Sequence, residues 1–351
     1  MSNNHVAYEE LYQFILGCLR KVGVCTESAT CVAEGLASTS LFGIDSHGIK
    51  LLPHYVRAAK NGRINLNPKY QFTLKSHCAG VLDADHAFGH HAGTVAMNQA
   101  IELAKEFGLG AISVANSSHY GAAGFFAIKA AYQDMIGLSF THADSLMLSA
   151  NGKRPFFGTN PISFCAPVEG EEPFYLDMAT TSISWNQVML SSSQDQNLQA
   201  GWAVDENGDG TIEPKLARAL NSIGGYKGYG LSMMIEILCS LLTAMPFGRH
   251  ISSMYKTPIS EHRHLGHFFL AINIAAFTEV DDFKKRLKEM MTEIRQEPSK
   301  GIAAVMCPGD PQKAHKKNRS EKGIPVLDVT WKEFEGLARD LEVPLPNVKR
   351  G

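Results

Sequence analysis

Apolar positions in the first 70 residues recur at helical spacing. Ala7, Leu11, Phe14, Ile15, Cys18 and Leu19 fall on one face and predict a helix over 7–22, stopped by Gly23. Thr26 reads as the N-cap of a second helix over 27–42, closed by Gly43, and a third runs over 49–60 and ends at Gly62. Beyond residue 70 the pattern changes. Phe72, Leu74 and the run 80–83 predict a hairpin of short strands, followed by an amphipathic helix over 94–107. Apolar runs at 110–115, 136–141, 164–167, 174–177 and 267–274 predict strands, and helices are expected over 122–132, 231–242, 281–295 and 330–341. The expected class is α/β (α+β). A central mixed sheet with helices occupies 71–279, beside a helical unit built from both chain ends, 1–70 with 280–351.

Composition narrows the function classes. The chain has 351 residues, 44% hydrophobic and 19% charged, which suits a globular protein with a real core. A formal net charge of -2 gives no sign of a nucleic-acid partner. No apolar run reaches the roughly 18 residues of a membrane span, so no membrane partner is expected. The start Met1-Ser2-Asn3-Asn4-His5 lacks the marks of a signal peptide. Seven cysteines, none in CxxC spacing and most in apolar or helical surroundings, read as reduced structural thiols in a cytoplasmic protein.

The candidate chemistry centres on two histidines. His119 lies in Asn116-Ser117-Ser118-His119-Tyr120-Gly121, where a strand hands over to a helix, and His47 lies in Ser46-His47-Gly48 at a helix start. A lone histidine is more often structural. Two on polar turns make candidate acids or bases. No GxGxxG follows a strand, so a Rossmann fingerprint is missing. Gly225-Tyr226-Lys227-Gly228-Tyr229-Gly230 either holds an anion at a helix start or only packs tightly. No GxSxG supports a Ser-His-Asp hydrolase. Asp205 to Gly210 mimics an EF-hand start, but Leu216 stands where the bidentate Glu belongs, so a hairpin turn is the better reading. His262, His264 and His267 lack carboxylates or cysteines in ligand spacing, and no metal is expected.

Taken in order, six stretches resemble one family: Ile44 to Gly48, Ser117 to Gly121, Gly158 to Pro161, Asp177 to Thr181, Gly225 to Gly230 and Cys307 to Asp310. The chain resembles the malate/L-lactate/L-sulfolactate dehydrogenases, which include ureidoglycolate dehydrogenase and 2,3-diketogulonate reductase. Pro246 to Tyr255 looks most like the ureidoglycolate branch. The resemblance implies a non-Rossmann NAD- or NADP-dependent enzyme that moves hydride between nicotinamide and a small 2-hydroxy or 2-keto acid. It also implies a homodimer. It casts His119 as proton acceptor and His47 as proton donor, with Ser46, Lys50 and Tyr55 on the substrate. Ala143, Asp144, Thr159, Asn160, Asp177, Met178, Ala179, Lys227, Gly309 and Asp310 would serve the cofactor. Two positions depart from the pattern. Leu51 stands where many members carry a carboxylate-gripping Arg, and Asn186-Gln187 stand where Gly-Lys is frequent. An imine or keto-acid reductase on the same scaffold, or a non-catalytic relative, is the alternative.

Overall fold

The computed structural model describes residues 4–349, apart from the side chain of Ser193. Its centre is a seven-stranded sheet in the spatial order Gln71–Ser76, Ala79–Asp83, Leu109–Ser117, Leu265–Asn273, Met135–Thr141, Ile162–Ala166, Phe174–Met178. Every neighbouring pair is antiparallel except Ala79–Asp83 with Leu109–Ser117, which the helix Gly89–Phe107 connects as a crossover. Late in the chain, Leu265–Asn273 slots between two earlier strands, with Phe269 opposite Ile112 on one side and Ser139 on the other.

Alternation along the strands decides which helix covers which face. Phe269, Ile112 and Val114 pack with Ala96, Met97, Ala100 and Phe126 from the helices Gly89–Phe107 and Gly124–Ala131. Phe268 and Phe140 point the other way, onto Ile235 and Cys239 of the helix Tyr226–Ser240. Gly110 lets the first helix approach closely, because a Cβ there would lie 1.9 Å from the Ala100 carbonyl oxygen.

The chain ends meet. Asn4–Val6 pairs antiparallel with Ile324–Val326, and Leu11, Phe14, Ile15, Leu36, Leu52, Phe334 and Leu341 share one apolar cluster. The helix Val280–Gln296 buries Met291 against Val168 and Cys307, with Phe174 packed alongside. A second sheet of five short strands between residues 147 and 220 carries no predictive run of its own.

Several boundaries move for local reasons. Thr26 is the first helical residue of Thr26–Leu41, and Cys25 takes the N-cap position without a side-chain capping bond. The polar stretch before the expected helix 49–60 holds a 3-10 turn, Asp45–His47, and the expected helix itself opens as another, Ile49–Leu51. The α-helix is Leu52–Lys60, where Pro53 fits the first turn. The Gly-rich stretch is already helical from Tyr226, entered through Gly225 at φ 64°. The helices Trp185–Ser193 and Asp310–Lys322 were not expected from apolar spacing. The second is so polar that only Arg319 is buried on it. Asp205 to Gly210 is a hairpin turn: Ala203–Val204 pairs with Gly210–Thr211, and the Asp205 carboxylate accepts from Asn207 and Asp209 N–H. Among the described residues, no helix is long and apolar enough to cross a membrane.

Candidate active site

The strand Leu109–Ser117 ends under an elbow that delivers His119 into a cleft. Gly121 turns that elbow at φ 77°, and a Cβ on it would meet the His90 ring at 2.5 Å. His119 Nδ1 sits 2.7 Å from the hydroxyl of Tyr55, which is buried on the helix Leu52–Lys60. Burial drives the His119 pKa well below its usual 6.5, and His47 and Arg263 add to the effect. His47 faces it nearly parallel, with ring centroids 5.9 Å apart at 18°. Ser46 Oγ lies 2.8 Å from His47 Nδ1. Burial, then Lys50, pulls His47 down to about 4. Both rings are therefore neutral near pH 7, and the Tyr55 phenol, raised by burial, keeps its proton.

The cleft consists of two cavities that share Ser46, His47, Thr159, Ser184 and Asn186. The first, about 430 Å³, holds His119, Ala143, Asp144, Leu51 and Trp185. The second, about 560 Å³, holds Lys50, Gly121 to Ala123, Asp177, Met178 and Ala179. Both lie within the range of small-molecule and cofactor sites, about 300–1,000 Å³. Asp45, which opens the His47 turn, is gripped by both terminal nitrogens of Arg319 at 2.7 and 2.8 Å. Asn186 donates to the Ser46 carbonyl at 3.1 Å, so the second departure from the motif pattern ties the helix Trp185–Ser193 to the His47 turn.

Other predicted residues occupy different places. Lys50 opens to the Asp177 side and not to the His119 cavity. Asn160 is fully buried: it accepts from Ala143 N–H and donates to Ser232 O and to Glu236 Oε2 at 2.8 Å, pinning the loop to the helix Tyr226–Ser240. Lys227 is exposed on that helix and lines neither cavity. Gly309, at φ 96°, packs on Tyr175. Asp310 accepts from Arg295 and Cys307 N–H. His262 and His264 pack with His86 and bond Arg63 O and Asn116 Oδ1, while His267 bonds the Thr141 and Ser117 hydroxyls.

Residues 6–335 match the model of the malate/L-lactate dehydrogenase family. The chain belongs to that family. It is 34% identical over 349 residues to a malate dehydrogenase of Pyrococcus abyssi, covering 95% of this chain and 94% of the relative. It is also 34% identical over 324 residues to the ureidoglycolate dehydrogenase (NAD(+)) of Escherichia coli K12, covering 92% and 93%. The crystal structure of malate dehydrogenase from Entamoeba histolytica superposes with a TM-score of 0.93 at 30% identity, covering 99% of this chain and 100% of that one. This member of the malate/L-lactate dehydrogenase family also has a buried cation beside the first cavity, bonded to the cavity residue Asp144, to which the sequence reading gave no role. Arg263, 2% exposed, holds Asp144 at 2.9 Å, and its Nε has no partner among the described residues.

Asp177 supplies a pH test. Its Oδ2 accepts from Gly124 N–H at 2.8 Å and from the Tyr175 hydroxyl at 3.4 Å, yet burial raises its pKa to about 6. A carboxyl whose pKa is higher in the folded state favours folding below the unfolded value of about 3.9, and that contribution is lost as pH rises through about 6. Asp177→Asn is therefore expected to gain stability relative to the parent between pH 4 and pH 7, by about 2–3 kcal/mol at most. Thermal melts of both proteins across that range check it. A pH-independent difference would remove the buried-charge account.

Proposed function

We propose that this protein is an NAD- or NADP-dependent dehydrogenase of small 2-hydroxy acids, acting on the CH–OH group, with the reverse reduction of 2-keto acids. The observation that carries this reading is the neutral His119 imidazole, fixed by Tyr55 in a cleft that continues to the Asp177–Ala179 strand end. In the oxidation direction the ring takes the substrate hydroxyl proton on Nε2, which requires Nδ1–H to donate to Tyr55 Oη. The two electrons leave carbon 2 as hydride, which the nicotinamide accepts when bound. His47 and Ser46 flank the reacting carbon, and Lys50 serves the substrate from the adjoining cavity.

The residues of the second cavity fit a dinucleotide. Gly121, Ala122 and Ala123 present backbone with little side chain, and both protein bonds to Asp177 fall on Oδ2, which leaves Oδ1 for a ligand hydroxyl. Met178, Ala179, Thr159, Ala143 and Asp144 would line the cofactor, while Asn160 would hold their loop in place. Lys227, Gly309 and Asp310 would complete that site from elements outside the cleft of one chain, and we take the functional unit to be a cytoplasmic homodimer. The paired chain ends and their shared apolar cluster support a helical unit, 1–70 with 280–351, beside 71–279, with the helix Val280–Gln296 resting on the latter.

The test is absorbance at 340 nm with NADH or NADPH against a panel of 2-keto acids. Turnover with at least one acid is the expected result. No oxidation of either cofactor, with no cofactor binding by fluorescence, would overturn the reading.

A further inference from the structure

The cavity that holds His119 carries two cations that the proposed hydride transfer does not use. Arg218 and Lys256 line it together with His47, Leu51, Asp144 and Trp185. Both are exposed, which puts them at the cavity's opening. Arg218 is held there by its own loop. Its backbone N–H donates to Val204 O at 2.8 Å, and its Nη1 donates to the carbonyls of Lys215 and Ala217 at 3.0 and 2.9 Å. Lys256 rides on a loop tied to the site, where Met254 N–H donates to Asp144 Oδ2 at 3.3 Å and Lys256 N–H to Ser253 Oγ.

The charge count in this cavity is one-sided. Asp144 is its single lining carboxylate among the described residues, and Arg263 already neutralises it. Neither Arg218 nor Lys256 enters an ion pair among the described residues. Both histidines are driven toward the neutral form by burial. Leu51, 5% exposed on the same wall, adds no charge. Two positive charges thus stand over a neutral reacting centre. A substrate with a single carboxylate compensates one of them, and a substrate with two anionic groups compensates both.

We propose that Arg218 and Lys256 are specificity-determining residues that select 2-hydroxy and 2-keto acids bearing a second anionic group, a carboxylate or sulfonate at the far end, over monoanionic ones. This rests on the dehydrogenase reading above. Arg218 supplies a planar fork for that group and Lys256 a point charge beside it. Their exposure makes the preference sensitive to salt.

Two measurements test it. In the first, wild type reduces oxaloacetate with a kcat/KM at least 100-fold above that for pyruvate. Arg218→Ala, and more so its double variant with Lys256→Ala, raises the oxaloacetate KM tenfold or more while kcat holds within about threefold, and Arg218→Lys recovers part of the loss. The second needs no turnover. Trp185 lines the same cavity, so its fluorescence follows malate and lactate binding directly. Malate binds at least tenfold tighter than lactate, the gap narrows in 0.5 M salt, and Arg218→Ala closes it. Equal use of pyruvate and oxaloacetate, equal binding of malate and lactate, or an oxaloacetate KM within twofold of wild type in the double variant would each overturn the proposal. Absence of turnover with any keto acid, beside selective malate binding, would count against the dehydrogenase reading and leave the anion selection standing.

Discussion

His119→Ala is expected to lower kcat for hydroxy-acid oxidation by about 10²–10⁴-fold, the usual contribution of a positioned general base. The protein should still bind cofactor, because the ring contacts Tyr55 and His47 and none of the Asp177–Ala179 strand end. The pH profile separates this role from a packing role. A base works in its neutral form, so activity falls as pH drops through its pKa. Burial sets that pKa well below 6.5, and kcat/KM for oxidation should stay flat from pH 8 to pH 6. His47 is the second cause of the depression, so His47→Gln should move the acid limb up toward 6.5. Tyr55→Phe deletes the hydroxyl that holds Nδ1 and should reduce kcat with little change in cofactor KM. A near-normal rate in His119→Ala, with a large loss in His47→Gln, would transfer the base to His47.

Much of the site was legible because its parts sit on local signals. The 110–115 apolar run followed by a polar elbow placed His119 at a strand end, and the strand Leu109–Ser117 does end there. The small residues of Gly121 to Gly124 marked the turn into the next helix, although helical geometry begins only at Gly124. What was not legible depends on long-range partners. The strand Leu265–Asn273 reads as apolar anywhere in a sheet. Its position between Leu109–Ser117 and Met135–Thr141 follows from packing both of its faces, Phe268 on one side and Phe269 on the other. Arg263 was hidden between two histidines that looked like a weak metal motif. Its importance lies in Asp144, 119 residues away. The helix Asp310–Lys322 escaped because it is anchored by charge: Arg319 reaches Asp45, and Lys313 and Arg295 converge on Glu171. Apolar periodicity cannot report a helix held that way.

Arg63→Ala is expected to cost about 3–5 kcal/mol and to loosen the wall of the cavity that holds His119. Arg63 is 2% exposed and forms no ion pair among the described residues, so four carbonyl dipoles solvate its charge at hydrogen-bond range, with Glu261 and Asp144 attracting it from farther off. Nε donates to Glu261 O at 3.1 Å, Nη1 to Met254 O at 2.9 Å, and Nη2 to Thr257 O at 3.0 Å and Pro258 O at 2.9 Å. One guanidinium thus organises a loop of irregular backbone that has no sheet or helix of its own to satisfy it. Alanine leaves four acceptors without their donor and a void where the side chain stood. Lysine keeps the charge but is a point donor on a thinner stem, so it should recover less than half of the loss. The same loop carries Met254, Tyr255 and Lys256 to the cavity and continues to Arg263, which fixes Asp144. The stability loss should therefore travel with a higher substrate KM and with faster amide exchange over 253–261, while exchange in the strand Leu109–Ser117 changes little. Thermal melts and hydrogen exchange read both effects. A variant within about 1 kcal/mol of the parent, with unaltered exchange in that loop, would show that the four carbonyls find other donors and that the loop's shape is set elsewhere.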